Sequence, residues 1–172
     1  TSYKIQDVAH TKTKITATRL FWDKNMKKDK LHPDGAGRTD WFYSDIVKDH
    51  FFNPRNFLVG EPKDFDWNGV GQVGSAACGD MMYMWIRVDP SNERIKDLKW
   101  RTFGCASAIA STSMMSVMVT EEGGMLLARA KRLTPEAIIE RLDGLPDRKY
   151  HCSVLGHLAI REAIKDYEQN HG

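Results

Sequence analysis

At 172 residues the chain has the size of one domain with room for an appended arm. Its 41% hydrophobic and 28% charged content is that of an ordinary globular protein, and a net charge of +2 gives no reason to invoke nucleic acid. No apolar run approaches the roughly 20 residues of a membrane-spanning helix, and Thr1–Ile5 lack the apolar core of a signal peptide.

The first forty residues carry nine Lys and Arg against five Asp, whereas the remainder carries 16 basic and 18 acidic residues. Ile15, Leu20, Phe21, Trp22, Met26 and Leu31 give only a weak amphipathic pattern, and His32-Pro33-Asp34-Gly35-Ala36-Gly37 is turn chemistry. Residues 1–40 therefore read as a basic extension of unknown role, and 41–172 as the domain proper. Ser44 is the expected N-cap of a helix over Asp45–Phe52, stopped by Asn53-Pro54. Arg55 to Asn68 reads as loop. Three strands follow: Val70–Gly74, then Met81–Val88, apolar throughout and expected to be central, then Arg94–Phe103 after an Asp89-Pro90-Ser91-Asn92 turn. Beyond Cys105 the pattern is helical, with Thr134-Pro135 opening one helix and another starting near Ser153. Strands first and helices afterwards predict an α+β fold, a small antiparallel three-stranded sheet covered by helices.

Three cysteines, Cys78, Cys105 and Cys152, stand 27 and 47 residues apart. That spacing suits neither a disulfide framework nor the close pairs of a zinc finger, so reduced thiols in a reducing compartment are the simplest inference. Cys105 sits where a strand ends in Gly104 and a helix of small residues begins. Helix N–H groups and the helix dipole there favour a thiolate, although a buried structural cysteine is about as common. In Cys78-Gly79-Asp80 an extended backbone would turn thiol and carboxylate to one side, and Gly79 leaves room for a ligand. A tight turn with a solvated Asp80 is the bland alternative. His151-Cys152 is expected just before the last helix, repeating the position of Cys105, with Lys149 as local positive charge. His50, His157 and His171 read as surface or capping residues. If these ends converge, Cys78, Asp80, Cys105, His151 and Cys152 form one sulfur, nitrogen and oxygen set suited to Zn²⁺ or an iron–sulfur cluster. Five donors for a four-coordinate site suggest exchange rather than a closed structural site.

The chain resembles the IscU/NifU family of iron–sulfur cluster assembly scaffolds, in its NifU N-terminal type. The resemblance runs through Trp41–Ser44, His50–Asn56, Gly69–Asp80, Thr102–Ser111, Gly144–Pro146 and Lys149–Gly156, and covers about Trp41 to Tyr167 in family order. It implies a SufE/NifU-like fold, with Cys78, Cys105 and Cys152 in the three cluster-binding cysteine positions. Asp80 takes the acidic position whose loss stabilises the bound cluster, and His151 the additional ligand position. The process implied is delivery of persulfide sulfur by a cysteine desulfurase to one of the cysteines, with Lys149 supporting. Addition of Fe²⁺ then builds a transient [2Fe–2S] cluster, which passes to acceptor or carrier proteins.

By the same resemblance, Zn²⁺ can occupy these ligands, a homodimer is allowed, and the scaffold turns over no substrate. The implied location is the cytoplasm, or an organelle matrix in a eukaryote. Leu145-Pro146-Asp147-Arg148-Lys149 keeps only the ends of the family's Leu-Pro-Pro-Val-Lys segment, which weakens the case for an Hsp70-type chaperone partner. Residues 1–40 match no segment of the family that the resemblance places. Two competing readings are a zinc-stabilised interaction domain and an enzyme with a Cys–His nucleophile. The latter leaves two cysteines and Asp80 unemployed.

Overall fold

A computed structural model describes residues 43–75, 79–146 and 149–171, with only the main chain at Ser75, His151 and Cys152. The basic arm, Cys78 and Asp147-Arg148 lie outside the described residues. Phe42–Gly172 forms one compact unit. No described helix is long and apolar enough to cross a membrane.

The first helix, α1 (Asp45–Phe52), begins as its sequence dictates: Ser44 Oγ accepts the Val47 N–H at 3.1 Å. The same hydroxyl donates to the Leu142 carbonyl at 2.6 Å, tying the cap to a segment 98 residues away. Strands β1 (Gly69–Ser75), β2 (Asp80–Asp89) and β3 (Arg94–Phe103) pair antiparallel in that order. The α+β architecture is as expected, with one addition: β4 (Met125–Leu126) extends the sheet to four strands by pairing with Arg94 and Ile95. Two residues are too few for alternation to announce a strand.

β2 is central, yet it is covered on one side only. Met82, Met84, Ile86 and Val88 are buried while Met81, Tyr83 and Trp85 on the opposite face are half-exposed. The apolar run reflects an aromatic open face, where Tyr83 and Trp85 stack with centroids 6.2 Å apart, rather than burial on both sides. A register shift between Arg87 and Val88 inserts one residue in β3, so that Ile95 and Leu98, three apart, both reach the core.

Helices cover the other face: α2 (Ala106–Thr120), the short α3 (Leu127–Ala130), α4 (Pro135–Arg141) and α5 (Tyr150–His171). Thr134 caps α4, with Pro135 at its first position. The last helix starts three residues earlier than expected, at Tyr150, so His151 and Cys152 belong to its first turn rather than preceding it. Its start offers no Ser/Thr/Asp/Asn cap for the sequence to signal. His50 also departs from its surface assignment. It is buried, its Nδ1 lying 2.8 Å from Ser113 Oγ.

α5 lies directly on β1. A Cβ on Gly69 would stand 2.6 Å from the Ala163 carbonyl oxygen, and one on Gly71 would overlap the Ala159 carbonyl. Glycines here let two backbones meet. Gly156 makes the same approach to α2, where its missing Cβ would stand 2.8 Å from Thr112 Oγ1.

Candidate functional site

β2 runs antiparallel to both its neighbours, so the end of β1, the start of β2 and the end of β3 lie at one edge of the sheet. Ser75 pairs with Asp80, and Met81 with Phe103. The two residues that flank Cys78 most closely in the sheet, Ser75 and Asp80, are therefore paired with each other at that edge. α2 starts at the same edge, directly after β3. Cys105 is its N-cap, with extended dihedrals (φ −73°, ψ 167°), and its carbonyl accepts the Ile109 N–H at 3.1 Å.

α5 runs opposite to β1, Ala163 facing Gly69 and Ala159 facing Gly71. Cys152 lies seven residues, about 10 Å of helix, before Ala159. Ser75 lies four residues, about 13 Å of strand, beyond Gly71. The start of α5 and the β1–β2 connection thus come to the same end of the molecule. Two long helices, of 15 and 22 residues, aim their N-termini there.

The donor set has two members with described side chains, Asp80 and Cys105. Asp80 comes close to the residue before Cys105: its carboxyl carbon lies 3.5 Å from where a Cβ on Gly104 would stand. Asp80 and Cys105 are both half-buried. Lys149 follows the Leu145-Pro146 turn, its N–H donating to the Pro146 carbonyl at 2.7 Å, immediately before α5. Cys78 lies outside the described residues, and His151 and Cys152 are placed by main chain alone. Among the described residues no three His, Cys, Asp or Glu side chains cluster closely enough for a metal ion. Gly79 adopts φ +69°, so the segment is not extended at its middle and strand alternation does not run from Cys78 to Asp80. A Cβ on Gly79 would meet nothing within 4 Å, so the space beside it is open.

Several side chains that hold this end together carry no local sequence signal. Thr102 Oγ1 donates to the Met81 carbonyl at 2.7 Å, pinning β2 to β3 next to Asp80. Tyr43 OH lies 2.9 Å from Ser107 Oγ in the first turn of α2, a contact between residues 64 apart. Tyr150 OH donates to Glu136 Oε1, joining the start of α5 to α4. That hydrogen bond holds the Glu136 carboxyl below the ordinary carboxylate range and the Tyr150 phenol above its own. A cleft of about 460 Å³ opens beside it, with Glu136, Ile139, Glu140, Leu145 and Tyr150 among its lining residues.

The family model of the NifU-like N-terminal domain matches residues 42–172. The iron–sulfur cluster assembly scaffold protein IscU of Aquifex aeolicus is 48% identical over 130 residues, covering 76% of this chain and 78% of that protein. The scaffold protein IscU 1 of Archaeoglobus fulgidus is also 48% identical over 130 residues, covering 76% and 79%. Among solved structures, a nitrogen-fixing NifU-like protein (N-terminal) from Brucella abortus superposes with a TM-score of 0.53 at 16% identity, covering 73% of this chain and 94% of that one. At that identity the superposition speaks for the fold alone.

Proposed function

The chain belongs to the family of the NifU-like N-terminal domain, and from that premise we propose that it is a scaffold on which iron–sulfur clusters are built and from which they are handed on. The observation that supports the reading is that Ser75 and Asp80, which flank Cys78 in the chain, pair at the sheet end where Cys105 opens α2 and toward which the start of α5 runs. The Asp80 carboxyl lies close to Gly104, the residue before Cys105. Such an edge suits a cargo better than a resident cofactor. Thiolates at helix N-termini bind iron strongly, whereas one carboxylate oxygen among them keeps the set exchangeable.

In this reading Cys78, Cys105 and Cys152 bind a [2Fe–2S] cargo, with Asp80 and His151 as the oxygen and nitrogen members. Sulfur arrives as a persulfide from a cysteine desulfurase. One of the three thiolates attacks the outer sulfur, forming a new S–S bond as the desulfurase thiolate leaves. Each persulfide sulfur then takes two electrons to become sulfide. Two Fe²⁺ ions supply one electron each on reaching Fe³⁺, and an external electron carrier supplies the rest. Lys149, just ahead of α5, adds positive charge near the incoming persulfide. The protein binds and releases without turnover, so its partners are the desulfurase and the acceptor proteins, in a reducing compartment such as the cytoplasm or an organelle matrix. Zn²⁺ fits the same donors when iron and sulfide are lacking.

Anaerobic reconstitution with ferrous iron, sulfide and a thiol reductant tests this. The expected result is a visible charge-transfer spectrum with iron and acid-labile sulfide bound in equal amounts, together with a chelated apoprotein whose thermal melt remains cooperative. An apoprotein that takes up no sulfide, or one that unfolds when chelated, would instead identify a structural zinc domain.

A further inference from the structure

Helix packing takes one face of the sheet and leaves the other open. Met82, Met84 and Ile86 point to the core, so Met81, Tyr83 and Trp85 stand on the opposite face. Residues directly opposite each other in an antiparallel pair share a face. β3 therefore adds Phe103 beside Met81, Arg101 beside Tyr83 and Lys99 beside Trp85. Phe103 is 68% exposed, and Val70, beside Trp85 on β1, is 45% exposed. Both cations are held by uncharged partners: Arg101 Nη2 donates to the Gly60 carbonyl at 2.5 Å, and Lys99 Nζ to Asn56 Oδ1 at 3.4 Å. Further along the strands Arg87 stands opposite Asp97. The face thus carries three cations against one carboxylate, although residues 41–172 as a whole hold 16 basic and 18 acidic residues.

At both outer edges of the sheet, backbone groups are already taken. The Val70 N–H donates to Asp166 Oδ2 on α5 at 2.8 Å, and on the far side the Leu58 N–H donates to the Trp100 carbonyl at 2.9 Å. A partner therefore meets the face rather than adding a strand. Aromatic side chains and Arg are what protein interfaces enrich. The surplus positive charge fits an acidic surface and repels a second copy of the same face. The face ends in Met81 and Phe103, next in the chain to Asp80 and Gly104, at the sheet end where Cys105 opens α2. From this we infer that the open face is the docking surface of an acidic cluster-acceptor protein. The inference rests on the proposed scaffold function and names the chemistry of its partner. An acceptor brings its own empty set of thiolates to the mouth, so its approach gains most from positive charge beside it. Transfer is then an exchange of ligands: acceptor thiolates bind iron as scaffold thiolates leave, and no electron changes hands.

The test mixes the full chain with two fluorescently labelled [2Fe–2S] apoproteins, one strongly acidic and one basic. Binding is read by anisotropy over a range of salt, and transfer from the cluster-loaded chain by the visible circular dichroism of the loaded acceptor. The acidic acceptor is expected to bind with an affinity that falls as salt rises, and the basic one to bind weakly if at all. Trp85→Ala should weaken binding and slow transfer to the acidic acceptor by on the order of tenfold. Lys99→Glu/Arg101→Glu should reverse the preference between the two acceptors, a gain that an unfolded chain cannot show. Uptake of iron and sulfide by either variant should equal that of wild type, because none of these residues belongs to the donor set. Equal binding of the two acceptors overturns the inference, as do variants that bind and transfer like wild type. So does a wild-type dimer that Trp85→Ala dissolves, a single-stranded oligonucleotide that binds more tightly than the acidic acceptor, or a loss confined to the desulfurase. A wild-type chain that takes up no iron and sulfide overturns the scaffold reading together with this one. Normal uptake with no dependence on Trp85 or on acceptor charge overturns this one alone.

Discussion

The carbonyl oxygen of Ala159 occupies the place a Cβ on Gly71 would need, and the Ala163 amide nitrogen lies only 2.7 Å from it. Neither obstacle is a movable side-chain tip, because both belong to the main chain of α5. Gly71→Ala must therefore lift α5 off β1, and it should cost about 3 kcal/mol, the upper part of the range for overpacked cores. Urea melts of the apoprotein followed by circular dichroism give the number. A midpoint unchanged from wild type would mean that the helix stands further from the strand than described.

Thr112 is fully buried, and its Oγ1 has no hydrogen-bond partner among the described residues. An unpaired buried hydroxyl is a net loss, so Thr112→Val, which keeps the shape, should stabilise the domain by about 1 kcal/mol. The same melts would show a midpoint moved to higher urea. A lower midpoint would reveal a partner for that hydroxyl.

His50 is 6% exposed, and its imidazole is held below the ordinary value of 6.5, first by burial and then by the Arg55 charge, with Arg141 adding to it and Asp49 opposing. Ser113 Oγ, which accepts the Arg55 N–H at 2.8 Å, can give its own proton to a neutral Nδ1. The native ring is thus neutral at a pH where the unfolded ring binds a proton. Stability is complete above the unfolded pKa and falls as pH drops below it toward the folded pKa, by at most about 1.4 kcal/mol per pH unit for one proton. His50→Gln should flatten the loss of stability between neutral and mildly acidic pH. His157, also held low by burial, contributes in the same window and leaves a residual slope. Melts across that range decide it.

Each of Cys78→Ala, Cys105→Ala and Cys152→Ala removes a thiolate from the proposed set. Each should lower bound iron and sulfide after anaerobic reconstitution by at least about tenfold. Full occupancy in all three would detach the cysteines from the cargo.

Asp80→Ala should act the other way and make the cluster more persistent, because the exchangeable oxygen is gone. Decay of the visible absorption under a chelator measures this, and faster bleaching than wild type would contradict it.

What could be read from the chain beforehand follows from where each signal resides. Ser44, Thr134-Pro135 and the Asp89–Asn92 turn act on the backbone within a few residues, so α1, α4 and the β2–β3 hairpin were legible. So was Cys105 at a helix start, since the alternation before Gly104 gives way to helical spacing after it. β4 was not, being two residues held by partners in β3. The start of α5 was misplaced by three residues because its first turn is anchored through Tyr150 to Glu136 rather than by a cap. His50 became a core residue through Ser113, 63 positions away, and no local pattern announces that pairing. The proximity of Asp80 to Gly104 belongs to the same class, since it arises only once β2 has paired with β3.

The contact between Thr112 and Gly156 has a reach beyond its own neighbourhood. Cys105 begins the helix that carries Thr112, and Cys152 lies one turn ahead of Gly156 on the other. The two helices are therefore set like the arms of a calliper, with this contact as the rivet and the two cysteine positions near the tips. A change in girth at the rivet alters the span at the tips, so in the proposed scaffold the width of the mouth would be gauged from inside the protein by residues outside the donor set.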